Sequence, residues 1–338
     1  MQFKLNRLTL VGAAAVAVAG VGFSSSVASA QSIAIDGSST VFPISEAMAE
    51  EYMSQNPDTQ ITVGVSGTGG GFEKFCNGET DISNASRPIK PSEMEACMAN
   101  GIEYVEIPVA YDAITVVIHP ENDWATEMTV EQLQTLWAPA AQGTITSWSD
   151  IEPSWPDAEI SLYGPGTDSG TFDYFTDEIV GEEGASRADY TASEDDNILV
   201  LGVARDTNAL GYFGYAYFDN NREQLRAVAI DSGDGPVLPS SRSVNNGTYT
   251  PLSRPIFIYV SADSAQRPEM QAFIEYYLNS APGIVPEVGY VALSEQAYSL
   301  GQSLLADLEV GTVYQANETS GLDIEDVMQL SRSLTPTE

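Results

Sequence analysis

Three times along this chain an apolar run ends in Gly, Ser and Thr and passes straight into a helix-like pattern. The segments are "IAIDGSSTVFPISEAMAEEY" (33–52), "ITVGVSGTGGGFEKFC" (61–76) and "ISLYGPGTDSGTFDYF" (160–175). A strand that turns at once into a helix rejoins its own sheet through a crossover, so repeated units of this kind drive a chain toward α/β architecture. The remaining pattern agrees. Apolar segments at Ile33–Ile35, Ile61–Val65, Tyr104–Ile107, Ala113–Ile118, Ile160–Tyr163, Ala227–Ile230 and Pro255–Val260 predict strands. Helical patterns fall at Ile44–Met53, Phe72–Cys76, Pro91–Met98, Val130–Trp137, Thr171–Val180, Asn197–Arg205 and Arg267–Leu278. Strands alternating with helices predict largely parallel sheets. The polar tail after about Ser320 reads as loosely held.

Each of the three turns also has a chemical reading. The first N–H groups of a helix have no partner within it, and the helix dipole makes that spot positive without Lys or Arg. Gly lets a ligand approach the backbone, and Ser and Thr hydroxyls rotate to suit an oxygen. Such a junction suits an anion. The competing reading is ordinary helix capping, which Ser and Thr favour anyway. Three junctions on strand-to-helix turns shift the balance toward a ligand, because such turns gather at the carboxyl ends of strands in an open α/β sheet.

Charge narrows the partners. The chain carries 48 Asp and Glu against 13 Lys and Arg, a formal net charge of −35. Two of those cations, Lys4 and Arg7, precede an apolar run that closes on Ala28-Ser29-Ala30, the pattern of a secretory signal peptide over 1–30 cut before Gln31. Beyond it Lys74 and Lys90 are the only lysines, so nucleic acid and anionic lipid surfaces are excluded as expected partners. No later stretch is apolar enough to span a bilayer. An acidic skin does not forbid an anion site, since its field decays over about 8–10 Å of salt water while fixed dipoles act at contact. Cys76 and Cys97 are the two cysteines, and an even count in an exported chain suggests a bridge, with two buried thiols as the alternative. No Cys-x-x-Cys occurs, so zinc and redox work are not indicated.

"TDISNASRPI" (80–89) places Asp81 and Arg87 after the second junction. A carboxylate near an anion makes sense when the guest carries its own proton, because an ionised Asp only accepts hydrogen bonds. That would separate phosphate from sulfate. Structurally, Asp81 could instead cap a turn or pair with Arg87, and Arg87 could clamp an oxyanion with two donors.

Catalytic readings are weaker. The one histidine, His119 in "IHPEND", reads as a loop residue without a serine elbow beside it. A phosphatase-like metal cluster is not visible, and "GTGGGFEK" misplaces the lysine of a P-loop. "DSGDGPVLPSSR" (231–242) has Arg242 where a calcium loop needs Glu. "LGYFGYAYFDN" (210–220) could form a sugar platform but reads better as core packing.

"DGSSTVFPISEAM", "GVSGTGGGFEKFCNGETDISNASRPI" and "GPGTDSGTFDYF" together resemble the periplasmic phosphate-binding proteins that feed Pst-type ABC importers, in the form with cyanobacterial members. "ITVVIHPENDWATEMTVEQLQTLW", "LGYFGYAYF" and "VGYVALSEQAY" extend the resemblance over nearly the whole mature chain. It implies a two-lobed, type II clamshell with mixed, largely parallel sheets and a strand hinge. The lobes would be 31–112 with 258–338, and 113–257, crossing near Tyr111–Ile114 and Pro255–Tyr259. It implies phosphate at Ser39, Thr40, Val41 and Phe42, the last two through backbone N–H. Ser66, Thr68, Gly69 and Gly70 follow from the second motif, and Ser169, Gly170 and Thr171 from the third. Asp81 would accept the phosphate proton. Many members carry an Arg ahead of the Ser-Gly-Thr; here Gly164, Pro165 and Gly166 stand there, which leaves the cation role to Arg87 or to none. The implied function is phosphate capture and delivery to a membrane permease by a monomer, with no cofactor, metal or chemistry. Sulfate, molybdate or arsenate binding, or a scavenging or sensing role, are the alternatives.

Overall fold

A computed structural model of the chain describes residues 31–167, 169–314 and 322–336. The signal peptide expected over 1–30 lies outside the described residues. The strands are β1 (Gln31–Gly37), β2 (Thr59–Val63), β3 (Ile82–Ala85), β4 (Tyr104–Ile118), β5 (Glu127–Thr129), β6 (Ser161–Gly164), β7 (Thr191–Ala192), β8 (Ala209–Gly214), β9 (Arg226–Ala227), β10 (Ala229–Asp231), β11 (Pro236–Val237) and β12 (Ser253–Ser261). The helices are α1 (Phe42–Gln55), α2 (Gly67–Cys76), α3 (Pro91–Ala99), α4 (Val130–Trp137), α5 (Trp148–Ile151), α6 (Gly170–Phe175), α7 (Asp196–Val203), α8 (Tyr215–Asn220), α9 (Ser241–Asn245), α10 (Pro268–Glu287), α11 (Glu295–Ala306) and α12 (Ile324–Met328).

Among the described residues, one sheet runs β2-β1-β3-β12-β4-β8-β6-β7 with β9 beside β4, and β11-β10-β5 form a second. The sheets are mixed rather than largely parallel. β1 pairs in parallel with β2 and β3, and β6 with β7 and β8. Between these two parallel groups β12 and β4 run antiparallel to their neighbours. The apolar segments at 104–107 and 113–118 are one strand, because Pro108 to Asp112 are buried and continue the ladder. β4 pairs with β12 up to Ala113 and with β8 from Ile114. All its residues are buried, which explains why it reads as a near-continuous apolar run. The segment at 227–230 splits instead into β9 and β10, which join different sheets.

The parallel strands set the site. Their carboxyl ends fall on one edge, so the turns into α1 and α2 emerge there side by side. Pro43 opens α1, whose Ile44, Met48 and Tyr52 enter the core. The aromatic run at 210–220 is core: Tyr212 is fully buried and stacks on Phe175 at 3.7 Å between ring centroids. The tail is better held than its polarity suggests, since Ile324, Val327 and Met328 of α12 are buried.

A disulfide joins Cys76 at the end of α2 to Cys97 in α3. The two sulfurs are 21 residues apart in sequence, and closing that loop restricts the unfolded chain by about 3 kcal/mol. Replacing both cysteines with Ala should lower the unfolding free energy in urea by roughly that amount. An unchanged midpoint would show that α2 and α3 hold together without the bond.

Candidate functional site

A cavity of about 680 Å³ opens where the three Gly/Ser/Thr turns meet. The first turn gives Ser38, Ser39 and Thr40 to its wall, the second Gly67, Thr68 and Gly69, and the third Gly170. Thr40 and Gly170 touch: a Cβ on Gly170 would stand 2.8 Å from Thr40 Oγ1. Only a residue without a side chain lets the start of α6 lie this close to the start of α1. Ser86, just past β3, joins the wall and holds Thr68: the two hydroxyls are 3.0 Å apart, and the Ser86 N–H donates to Thr68 Oγ1 at 3.2 Å.

Other predicted donors have partners within the protein. The Val41 side chain is buried in the core, so this residue has only its backbone N–H to offer a guest, and the Phe42 N–H is spent on Ser38 O at 3.1 Å inside the turn. Ser66 turns its hydroxyl onto Asp36, which also receives Lys74 at 2.7 Å, and its N–H goes to Gly37 O. Ser169 caps α6, accepting from the Thr171 N–H at 3.2 Å, and neither residue is on the wall. For Ser169 the capping reading describes the geometry.

Asp81 is a correction. It precedes β3, and β3 runs parallel to β1, so Asp81 sits at the amino end of the strand while the turns gather at the carboxyl end. Its backbone N–H donates to Ala34 O, its carboxylate accepts from the Ala34 N–H at 2.9 Å and from Ser264 Oγ at 2.6 Å, and Arg267 forms an ion pair with it at 2.8 Å. It ties β1 and β3 to the turn after β12.

Arg87 reaches the wall, but its fork is closed on Glu93, with N–O distances of 2.9 and 2.7 Å. Glu93 in turn caps α3 by accepting the Lys90 N–H at 2.8 Å. Across the cavity stand Asp173, Asp177, Glu178 and Glu183. Burial, then the charge of Glu183, pushes the Asp173 carboxyl up, while Arg254 pulls it back. Arg254 is the cation that the sequence did not single out. It rises from β12 into the wall, lies 3.7 Å over the Tyr174 ring and reaches Asp112 of β4 at 3.3 Å.

Residues 24–281 match a family model described as the PBP superfamily domain. The chain belongs to the PBP superfamily. Within it, the chain is 48% identical over 335 residues to a Synechocystis protein named SphX, covering 98% of this chain and 99% of that one. A phosphate-binding protein PstS from Staphylococcus saprophyticus is 37% identical over 275 residues, 81% of this chain and 84% of the relative. Among solved structures, a possible phosphate binding protein from Planctomyces limnophilus superposes with a TM-score of 0.77 at 47% identity, covering 82% of this chain and 98% of that one.

In this PBP chain the residues around the cavity that sequence reading passed over include Ser38, Ser86, Asp173 and Arg254. Ser38 and Ser86 had a signal, since both follow directly on an apolar strand. Arg254 had none nearby, because it lies more than eighty residues from the closest of the three turns. His119 stays in the turn after β4, where its Nδ1 accepts the Glu121 N–H at 3.1 Å. Among the described residues no group of three or more His, Cys, Asp and Glu is placed to hold a metal ion.

Proposed function

We propose that this chain captures inorganic phosphate outside the cytoplasm and hands it to the membrane permease of an ABC importer, without transforming it. The observation that carries this reading is the meeting of Thr40, Thr68, Ser86 and Gly170 on one cavity, in a chain whose relatives are named phosphate-binding proteins. Neutral hydroxyls and amides hold an oxyanion at contact distance whatever the far field. The facing carboxylates favour a guest that carries a proton. Asp173 can accept a hydrogen bond from monobasic or dibasic phosphate, whereas sulfate offers it only a bare oxygen. The reading includes two lobes, 31–112 with 258–338 and 113–257, closing on the guest as a monomer. The switch of β4 from β12 to β8 between Ala113 and Ile114 supports a crossing there. A ligand touching turns from both lobes favours the closed form. Export through the leader over 1–30 belongs to the same reading.

Titration calorimetry of the mature chain with phosphate, sulfate and arsenate tests it. One phosphate per chain is expected, with sulfate at least about a hundredfold weaker, since a protonless oxygen against the half-buried Asp173 carboxylate lacks a donor. Tight sulfate binding without phosphate heat would overturn the ligand assignment. Turnover of a phosphate ester by the purified chain would overturn the absence of chemistry.

A further inference from the structure

We infer that Arg254 supplies the positive charge that meets the oxyanion. The inference rests on the oxyanion reading and adds its cation. Two arginines, Arg87 and Arg254, and one lysine, Lys90, reach the cavity wall. Arg87 has both terminal nitrogens on Glu93, with Nη1 also donating to Pro88 O, so its charge is already matched by a two-point pair with a carboxylate. Arg254 is differently held. One terminal nitrogen reaches Asp112 at 3.3 Å, a long contact, and the buried Nε has no hydrogen-bond partner. Held by one long contact and not by a two-point pair, the guanidinium keeps donors for an acceptor in the cavity it lines.

The residue is also preorganised. Its guanidinium carbon lies 3.7 Å from the centre of the Tyr174 ring, and the Tyr174 hydroxyl is fixed by donating to Pro251 O at 2.7 Å. Asp112, buried on β4, pairs with it through that one contact. Arg254 lies on β12, while Tyr174 lies on α6, the helix that Gly170 begins and sets against Thr40. The cation therefore sits where the hydroxyl-bearing turns converge. The acids that face it are Asp112, Asp173, Asp177, Glu178 and Glu183, which confine its attraction to a guest inside the cavity.

The test is phosphate affinity by calorimetry for the mature wild type, Arg254→Gln, Arg254→Lys and Arg87→Gln. Arg254→Gln should weaken phosphate by about thirtyfold or more, the range of one charge-assisted pair, with Arg254→Lys between it and wild type. The loss at Arg254 should exceed that at Arg87 by about tenfold. Because Arg254→Gln leaves Asp112 buried alone, the double variant Asp112→Asn/Arg254→Gln is measured too. It should fold, as judged by circular dichroism, and still show the loss. Phosphate bound equally well by wild type and the folded double variant would overturn the role of Arg254 and leave the oxyanion reading standing. A larger loss at Arg87 would overturn it likewise. A wild type that binds no oxyanion would overturn the parent reading and Arg254 with it.

Discussion

Gly37→Ala is expected to cost about 3–5 kcal/mol of stability and to weaken phosphate binding with it, through backbone strain and a clash that cannot relax. Gly37 closes β1 with φ at +142°, a region that L side chains rarely adopt. A Cβ there would stand 2.2 Å from Asn84 O and 2.9 Å from Asn84 N, both backbone atoms of the paired strand β3. Nothing at that contact can rotate away. Around the same residue the site is tied together. The Ser38 N–H donates to Asn84 O at 3.0 Å, and the Ser66 N–H donates to Gly37 O at 3.0 Å. A Cβ on Gly71 would come within 2.5 Å of the Gly37 Cα, so α2 is pressed directly on this point of β1. Moving Gly37 thus moves the first turn, the second turn and the end of β3 together. Urea unfolding measures the loss, with Gly143→Ala as the comparison. Gly143 also has positive φ, at +67°, but its Cβ would meet open space, so about 1 kcal/mol is expected there. Equal losses at the two positions would show that φ alone, and not the contact with Asn84, sets the cost at Gly37.

The junctions were legible because a strand, a small-residue turn and a helix are each written locally. The β1–α1, β2–α2 and β6–α6 units fall where their patterns place them. What a local pattern does not carry is which end of a short strand faces the site. Asp81 and Ser86 flank the same four-residue strand, β3. At about 3.3 Å per residue they lie roughly 16 Å apart, one at each end. A carboxylate beside a turn attracted the chemical role, and the less conspicuous serine occupies the wall. Partners across the fold were equally out of reach. Arg87 reads as a free clamp until the turn through Pro88 brings Glu93 back onto it. Pro91 at the start of α3 puts Glu93 in the first turn, where a carboxylate can accept the N-cap N–H, and this could have flagged Glu93 as a residue turned toward that loop. Asp112 and Arg254 become neighbours only through the β4–β12 register.

Arg332→Ala is expected to cost about 3 kcal/mol near pH 8 and markedly less near pH 5, because it strands a buried carboxylate. Glu106 on β4 is 1% exposed. Its carboxylate accepts from the Tyr259 hydroxyl at 2.6 Å and from the Val313 N–H at 3.2 Å, with Arg332 at 3.7 Å. Burial pushes this carboxyl up, against the pull of the Thr312 and Tyr259 hydroxyls and of Arg332. Burial likewise lowers Arg332 below the usual guanidinium range. Both shifts disfavour charge, so the pair holds charge because its members hold each other. Arg332 also donates to Gly311 O at 3.3 Å and Met328 O at 3.2 Å, and its contact with Glu106 O at 3.5 Å ties the tail to β4. A carboxyl whose folded pKa lies above its unfolded value of about 4.3 contributes stability that is complete below the unfolded value. That stability is lost as pH rises through the folded value. Removing Arg332 raises the folded value further and deepens the loss on the alkaline side. The proton itself substitutes for the cation on the acid side. Glu106→Gln added to Arg332→Ala should therefore recover stability near pH 8, since a neutral amide in that pocket needs no counter-charge. Urea unfolding of the wild type, both single variants and the double variant at the two pH values reads this directly. A loss at Arg332 that is independent of pH and not rescued at Glu106 would assign the tail's attachment to the carbonyl contacts of Arg332 instead of its charge.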